Sequence, residues 1–236
     1  MHHFVKAVSI ALLYISFGLW PEEPPRRLEI PGMVQINGLF VGQTEVLNAE
    51  WIEYLGYRVT HEDSAWSAKL SKAYDVCVNT PECRNLPFTG ASYEQALGCC
   101  QWKAGQIKAQ TGLEVICRLP TVAEWRAFAS YVLETDRQLA RRNLRRARKM
   151  LKKAAKASEG EERPLFPFTE DLELARNRNR VFHLFDNVSE MLAEKGYAAG
   201  ASNHDLKPLE DNLQKIYEYD TTALSPYLGF RCVAEI

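Results

Sequence analysis

Histidine is sparse in this chain of 236 residues, with five in all, and none of its six cysteines falls in a Cys-x-x-Cys pair. Without clustered ligands a structural zinc site has little to assemble from. Charge of one sign is also lacking: the formal net charge is −1, which predicts no global attraction to nucleic acid or to an anionic membrane. The clearest apolar run, Ala7 to Trp20, is shorter than the roughly 20 residues that a bilayer-spanning helix needs. It follows a mildly basic start at Lys6, and Ser16 and Gly18 supply the small residues of a cleavage site. Residues 1–20 therefore read as a signal peptide or N-terminal hydrophobic leader. No cysteine stands near the end of this run, which argues against a bacterial lipid anchor. The expected location is exported, in the periplasm or outer cell envelope.

What remains is ordinary for a globular domain, 46% hydrophobic and 25% charged. We expect a proline-rich lead-in at 21–31 and a single domain over 32–236. In an oxidising compartment Cys77, Cys83, Cys99, Cys100, Cys117 and Cys232 allow up to three disulfides, with fifteen formal connectivities. Leu39 to Val46 suits a strand. Asn48 looks like a helix cap, with Trp51, Ile52 and Leu55 on one face of a short helix ending at Gly56. From Tyr57 to Phe88 no period is sustained, and irregular surface structure is expected. Cys77 and Cys83 flank the turn Asn79-Thr80-Pro81, as a local disulfide or as two free thiols.

Two capping boxes follow. Ser92 with Gln95 opens a helix whose Tyr93, Ala96, Leu97, Cys100, Ala104 and Ile107 recur at helical spacing. In Arg118-Leu119-Pro120-Thr121-Val122-Ala123-Glu124-Trp125, proline bars helix before it, while Thr121 and Glu124 cap the helix after it. That helix is expected to run on through Ala129, Val132, Leu133, Leu139, Leu144 and Leu151. Between Arg137 and Lys156 it carries ten Lys or Arg and no acid, with Asp136 just outside. This basic excursion, at about 130–160, is either a solvated helix whose leucines touch the domain or a partner, or a basic surface for anionic lipid, acidic protein or polyanion. Its candidate partner-binding residues are Arg141, Arg142, Arg145, Arg146, Arg148, Lys149, Lys152 and Lys153. Nucleic acid is disfavoured by the export signal. Tyr227 to Ala234 alternates as a final strand should.

Taken in order, five pieces make a pattern: Val41 to Leu55; Ser92-Tyr93 through Cys100-Gln101-Trp102; Arg118 to Trp125; Leu184 to Glu190 with Gly200-Ala201-Ser202; and Gly229-Phe230-Arg231-Cys232. The pattern resembles the formylglycine-generating enzyme, or sulfatase-modifying-factor, family. The resemblance implies a C-type-lectin-like α+β domain with short twisted strands, two main helices and much irregular structure. It also implies a disulfide between Cys100 and Cys232, and a structural calcium loop at Asp186, Asn187, Val188 and Glu190, where Asp186 replaces the family's usual glycine. Without calcium, Asn187 would close a turn and Glu190 would make a buried hydrogen bond.

Active members of that family oxidise a client cysteine with a copper-holding cysteine pair, thiolates suiting a soft ion. The pair lies between the Gly-Gly-Ser-like and Gly-Phe-Arg elements, and here the interval Asn203 to Leu228 contains no cysteine. A copper site and the parent activity are therefore not expected, no catalytic residue is assigned, and the leading expectation is a binding or scaffolding module with an envelope protein partner. The chain also looks like the sulfatase-modifying-factor-like domains of gliding-motility and type IX secretion assembly, although those carry lipid-anchor cysteines. Two alternatives stay open: a metal-dependent oxidoreductase or peptide-modifying enzyme of altered chemistry, and a calcium-dependent lectin-like module.

Overall fold

The computed structural model describes residues 28–61, 64–78, 81–157, 180–203, 205 and 208–236. The leader, most of the lead-in and the last residues of the basic excursion, from Ser158 on, lie outside them.

Two short strands open the domain, β1 (Met33–Ile36) and β2 (Leu39–Gly42). Their antiparallel register pairs Ile36 with Leu39, leaving Asn37 and Gly38 as the turn. Both turn residues have positive φ, 52° and 87°, the combination that a two-residue hairpin of primed type requires and that Asn-Gly adopts at low cost. The strand expected over Leu39 to Val46 thus stops at Gly42. Beyond it the backbone turns to other partners: Gln43 donates to the Gly32 carbonyl at 2.9 Å and Val46 to Phe230 at 2.8 Å.

Helix α1 (Asn48–His61) runs past Gly56, where an end was expected. Gly56 does not take the left-handed conformation of a terminating glycine, and Tyr54 and Leu55, each 1% exposed, hold this turn in the core. The stretch expected to be irregular is largely helical as well, with α2 (Ser67–Val78) and the one-turn α3 (Pro81–Arg84). Leu70, Ala73 and Cys77 form a narrow apolar stripe on α2, against Ile52 of α1 and Cys83 of α3.

Helix α4 (Tyr93–Thr111) begins with the Ser92–Gln95 box and ends on Gly112 at φ 76°. After β3 (Ile116–Arg118), α5 (Val122–Thr135) starts from the Thr121–Glu124 box and buries Trp125, Phe128, Ala129, Val132 and Leu133. Here the expected single long helix divides. Asp136 leaves helical geometry at φ −125° and ψ 24° while still donating to the Val132 carbonyl, and α6 (Arg137–Ala157) begins afresh. The remaining elements are β4 (Ser189–Met191), β5 (Tyr197–Ala199), α7 (Leu209–Gln214), β6 (Ile216–Glu218), β7 (Leu228–Phe230) and β8 (Val233–Glu235).

These strands make two four-stranded sheets, ordered β1-β2-β8-β3 and β6-β5-β4-β7. The first is antiparallel throughout, and β4 pairs with β7 in parallel in the second. Alternation along β2 sends Phe40 into one core cluster, with α1 and α4, and Val41 into the other, with α5 and α6. The sheet is therefore covered on both faces, which is why its central strands read as continuous apolar runs. The domain is α+β and C-type-lectin-like, with more helix than the sequence led us to expect.

Candidate functional site

The Gly-Phe-Arg-Cys segment joins β7 to β8 and carries Arg231 into the interior, where it is 0% exposed. A buried guanidinium must have its donors satisfied. Arg231 donates through Nε and Nη2 to Glu190 Oε1 at 3.0 and 2.7 Å, through Nη1 to the Gly42 carbonyl at 2.7 Å, and through Nη2 to the Phe182 carbonyl at 2.9 Å. One side chain thus ties both sheets and the 181–188 loop together. Trp125 Nε1 donates to the other oxygen of Glu190 at 3.0 Å.

A second carboxylate, Glu45, lies 3.9 Å from Arg231 Nη2 and is 1% exposed. Its Oε1 accepts no hydrogen bond among the described residues. Burial pushes its pKa up from 4.5 to about 8, against the opposing pull of His183 and Arg231. The cluster thus sets the Arg231–Glu190 ion pair beside a second buried carboxyl group whose pKa is raised. The sequence analysis missed this role of Glu45, although a glutamate just after a buried strand was a visible signal.

The candidate calcium residues fall in the same region. Asn187, at φ 72°, donates its N–H to Asn203 Oδ1 at 3.0 Å and accepts at its carbonyl from the Asn203 N–H at 3.0 Å. Asp186 Oδ1 lies 3.2 Å from His183 Nδ1, and Val188 is buried. Both oxygens of Glu190 are engaged, Oε1 by Arg231 and Oε2 by Trp125, so the buried hydrogen bond expected of this residue is made twice over. Among the described residues no group of three or more His, Cys, Asp or Glu is placed to hold a metal ion.

Disulfides join Cys100 to Cys232 and Cys77 to Cys83, leaving Cys99 and Cys117 as buried thiols. Burial pushes the Cys99 thiol far up and Cys117 up to about 11, the reverse of an activated thiolate.

An open groove of 530 Å³ lies between α1, α2 and residues 86–90, within the usual size range of ligand sites. Trp51 stacks on Phe88 with ring centroids 4.0 Å apart, and Ile52, Leu55 and Ala73 complete an apolar floor. Among the described residues of its lining the charges are those of Lys69 and Lys72, and Leu224, 67% exposed, stands at its edge. Leu224 belongs to the Asn203–Leu228 interval. Trp51, Ile52 and Leu55 read in the sequence as one helix face, but Lys69, Lys72, Ala73 and Leu224 give no sequence signal of a groove, because the groove depends on α2, which falls in the stretch expected to be irregular.

The eight candidate partner-binding residues of α6 are all exposed. Leu144 and Ala147, on the opposite face, are buried at 5% and 1%. Among the eight, only Arg141 has an acidic partner in the described residues, Glu210 at 3.6 Å.

Among solved structures, CarF is 16% identical, with 84% of this chain and 86% of that one covered at a TM-score of 0.44. Treponema denticola variable protein 1 is 12% identical, with 88% and 92% covered at a TM-score of 0.41. No curated protein sequence matches. Among the described residues no helix is long and apolar enough to cross a membrane. The family model of the sulfatase-modifying factor enzyme 1-like domain matches residues 23–236, nearly the whole chain, and the chain belongs to that family.

Proposed function

We propose that this chain is a non-catalytic member of its family, an exported binding or scaffolding module that engages its partner at the groove between α1 and α2. The observation that carries the reading is the interval Asn203–Leu228, which holds no thiol yet contributes Leu224 to an open apolar groove. That interval lacks the thiols that the resemblance assigns to the family's oxidative chemistry, and it borders a groove of ligand size. Both remaining free thiols are buried with raised pKa values, so neither replaces them as a ready thiolate. The two disulfides fit an oxidising compartment.

Elemental analysis of the purified protein, with a thiol count on the same sample, tests the non-catalytic part. Copper and iron should fall well below one equivalent, with two thiols reacting only after unfolding. Stoichiometric copper or iron would overturn it. Anilinonaphthalene sulfonate, an anionic aromatic probe matched to an apolar floor and a lysine rim, tests the groove. Its fluorescence should rise with the native protein and be lost in a folded Ala73→Trp variant; equal fluorescence from both would remove the groove from the proposal.

A further inference from the structure

The basic helix is a separate surface, and what it fits is set by how the domain uses its two sides. α6 is 21 residues long, about 30 Å at the helical rise. Leu144 lies in the core cluster that holds Val132 and Leu133 of α5, with Ala140 packed against it. Along Ala140, Leu144 and Ala147 the apolar side is thus already occupied by the protein's own core. The outward side exposes Arg137, Arg141, Arg142, Arg145, Arg146, Arg148, Lys149, Lys152 and Lys153. At about 100° per residue these cover half the circumference, with Arg145 and Lys149 near the middle of the arc.

The placement of charge is uneven across the molecule. Ten positive charges and no negative one lie between Arg137 and Lys156, so a net charge of −1 leaves −11 for the rest of the chain. The attraction of α6 for anions is therefore local and oriented rather than a property of the whole protein.

We infer that α6 docks the domain on the anionic headgroups of a lipid surface, through charge and without insertion. Insertion would need a free apolar side, and among the described side chains Ala140, Leu144 and Ala147 of that side are turned to the core. A protein partner would be held best around a desolvated central anchor, for which an aromatic or apolar residue or a well-packed Arg serves. Among the described α6 side chains, only Met150, at 39%, is an exposed large hydrophobic. A headgroup layer needs no such anchor: several Lys and Arg near its surface suffice. Nucleic acid, the other partner that charge alone can hold, is disfavoured in the oxidising compartment that the two disulfides indicate. This inference goes beyond the groove and does not depend on it.

Co-sedimentation of the full chain with phosphatidylcholine vesicles, with and without phosphatidylglycerol, tests it. Binding should require phosphatidylglycerol and should be lost near 1 M salt, where screening reaches about 3 Å. Arg145→Gln with Lys149→Gln should weaken partitioning about 25-fold, roughly fivefold for each charge. Lys108→Gln with Lys195→Gln makes the same change in net charge elsewhere and should leave binding intact, with both pairs checked for fold by circular dichroism. Equal binding to uncharged vesicles, retention at high salt, or equal loss from both pairs would overturn the proposal. So would tighter binding to poly-glutamate or duplex DNA at matched anionic charge.

Discussion

Arg231 and the arginines of α6 put the same guanidinium to opposite uses. Arg231 is wholly enclosed, and each of its donor nitrogens meets an oxygen between 2.7 and 3.0 Å away. Of the eight cations singled out on α6, one meets a carboxylate among the described residues, at 3.6 Å, and exposed pairs of that kind contribute little. The first arrangement leaves no charge to offer a partner, and losing it exposes a desolvated carboxylate to nothing. The second leaves its charge available, and losing it should not disturb the fold. Charge placement thus separates what holds this domain together from what it can present.

The largest effect should come from the covalent tie beside Arg231. Cys100→Ala with Cys232→Ala opens a closure of 132 residues and should lower stability by about 4–5 kcal/mol, read from urea unfolding. Arg231→Met should cost about 3–5 kcal/mol in the same assay, because Glu190 is left buried without its cation. A cost under about 1 kcal/mol would break the comparison.

Glu45 sharpens it through pH. Its native pKa, about 8, lies above its ordinary value of 4.5, so the native state keeps a proton that the unfolded chain releases. Stability from this group is full below 4.5 and falls as the pH rises towards 8. Glu45→Gln should flatten that fall in a series of unfolding curves, and an unchanged slope would assign it to another group. At the small end, Arg145→Gln with Lys149→Gln should move unfolding stability by less than about 0.5 kcal/mol, despite its large effect on vesicle binding.

The two capping boxes were legible because a box is a local device: a side chain meets a backbone N–H three residues away, whatever the rest of the fold does. Asn37-Gly38 was equally local, an Asn-Gly pair between apolar residues, and went unread. α2 was hidden for another reason. Among the described side chains of α2 the stripe Leu70, Ala73 and Cys77 meets the core, too narrow a pattern to mark an amphipathic helix. The break at Asp136 escaped because both flanking segments favour helix, and the separation arises where α6 packs back on the domain. The Cys100–Cys232 pairing came from family resemblance, since six cysteines do not choose among fifteen connectivities. The site divided in the same way: Arg231 stood in a recognisable motif, while the roles of Glu45, Lys69, Lys72 and Leu224 exist only once distant segments meet.

The position of β8 has a consequence for the order in which the molecule comes into being. Val233 pairs with Val41 of β2 on one side and with Arg118 of β3 on the other, so residues made after both of those strands occupy the inside of the first sheet. While the ribosome is still making the middle of the chain, β2 and β3 have no strand to join them. The first sheet therefore closes only after synthesis has passed Val233, leaving the growing chain a long interval in which it can be threaded or escorted before it sets.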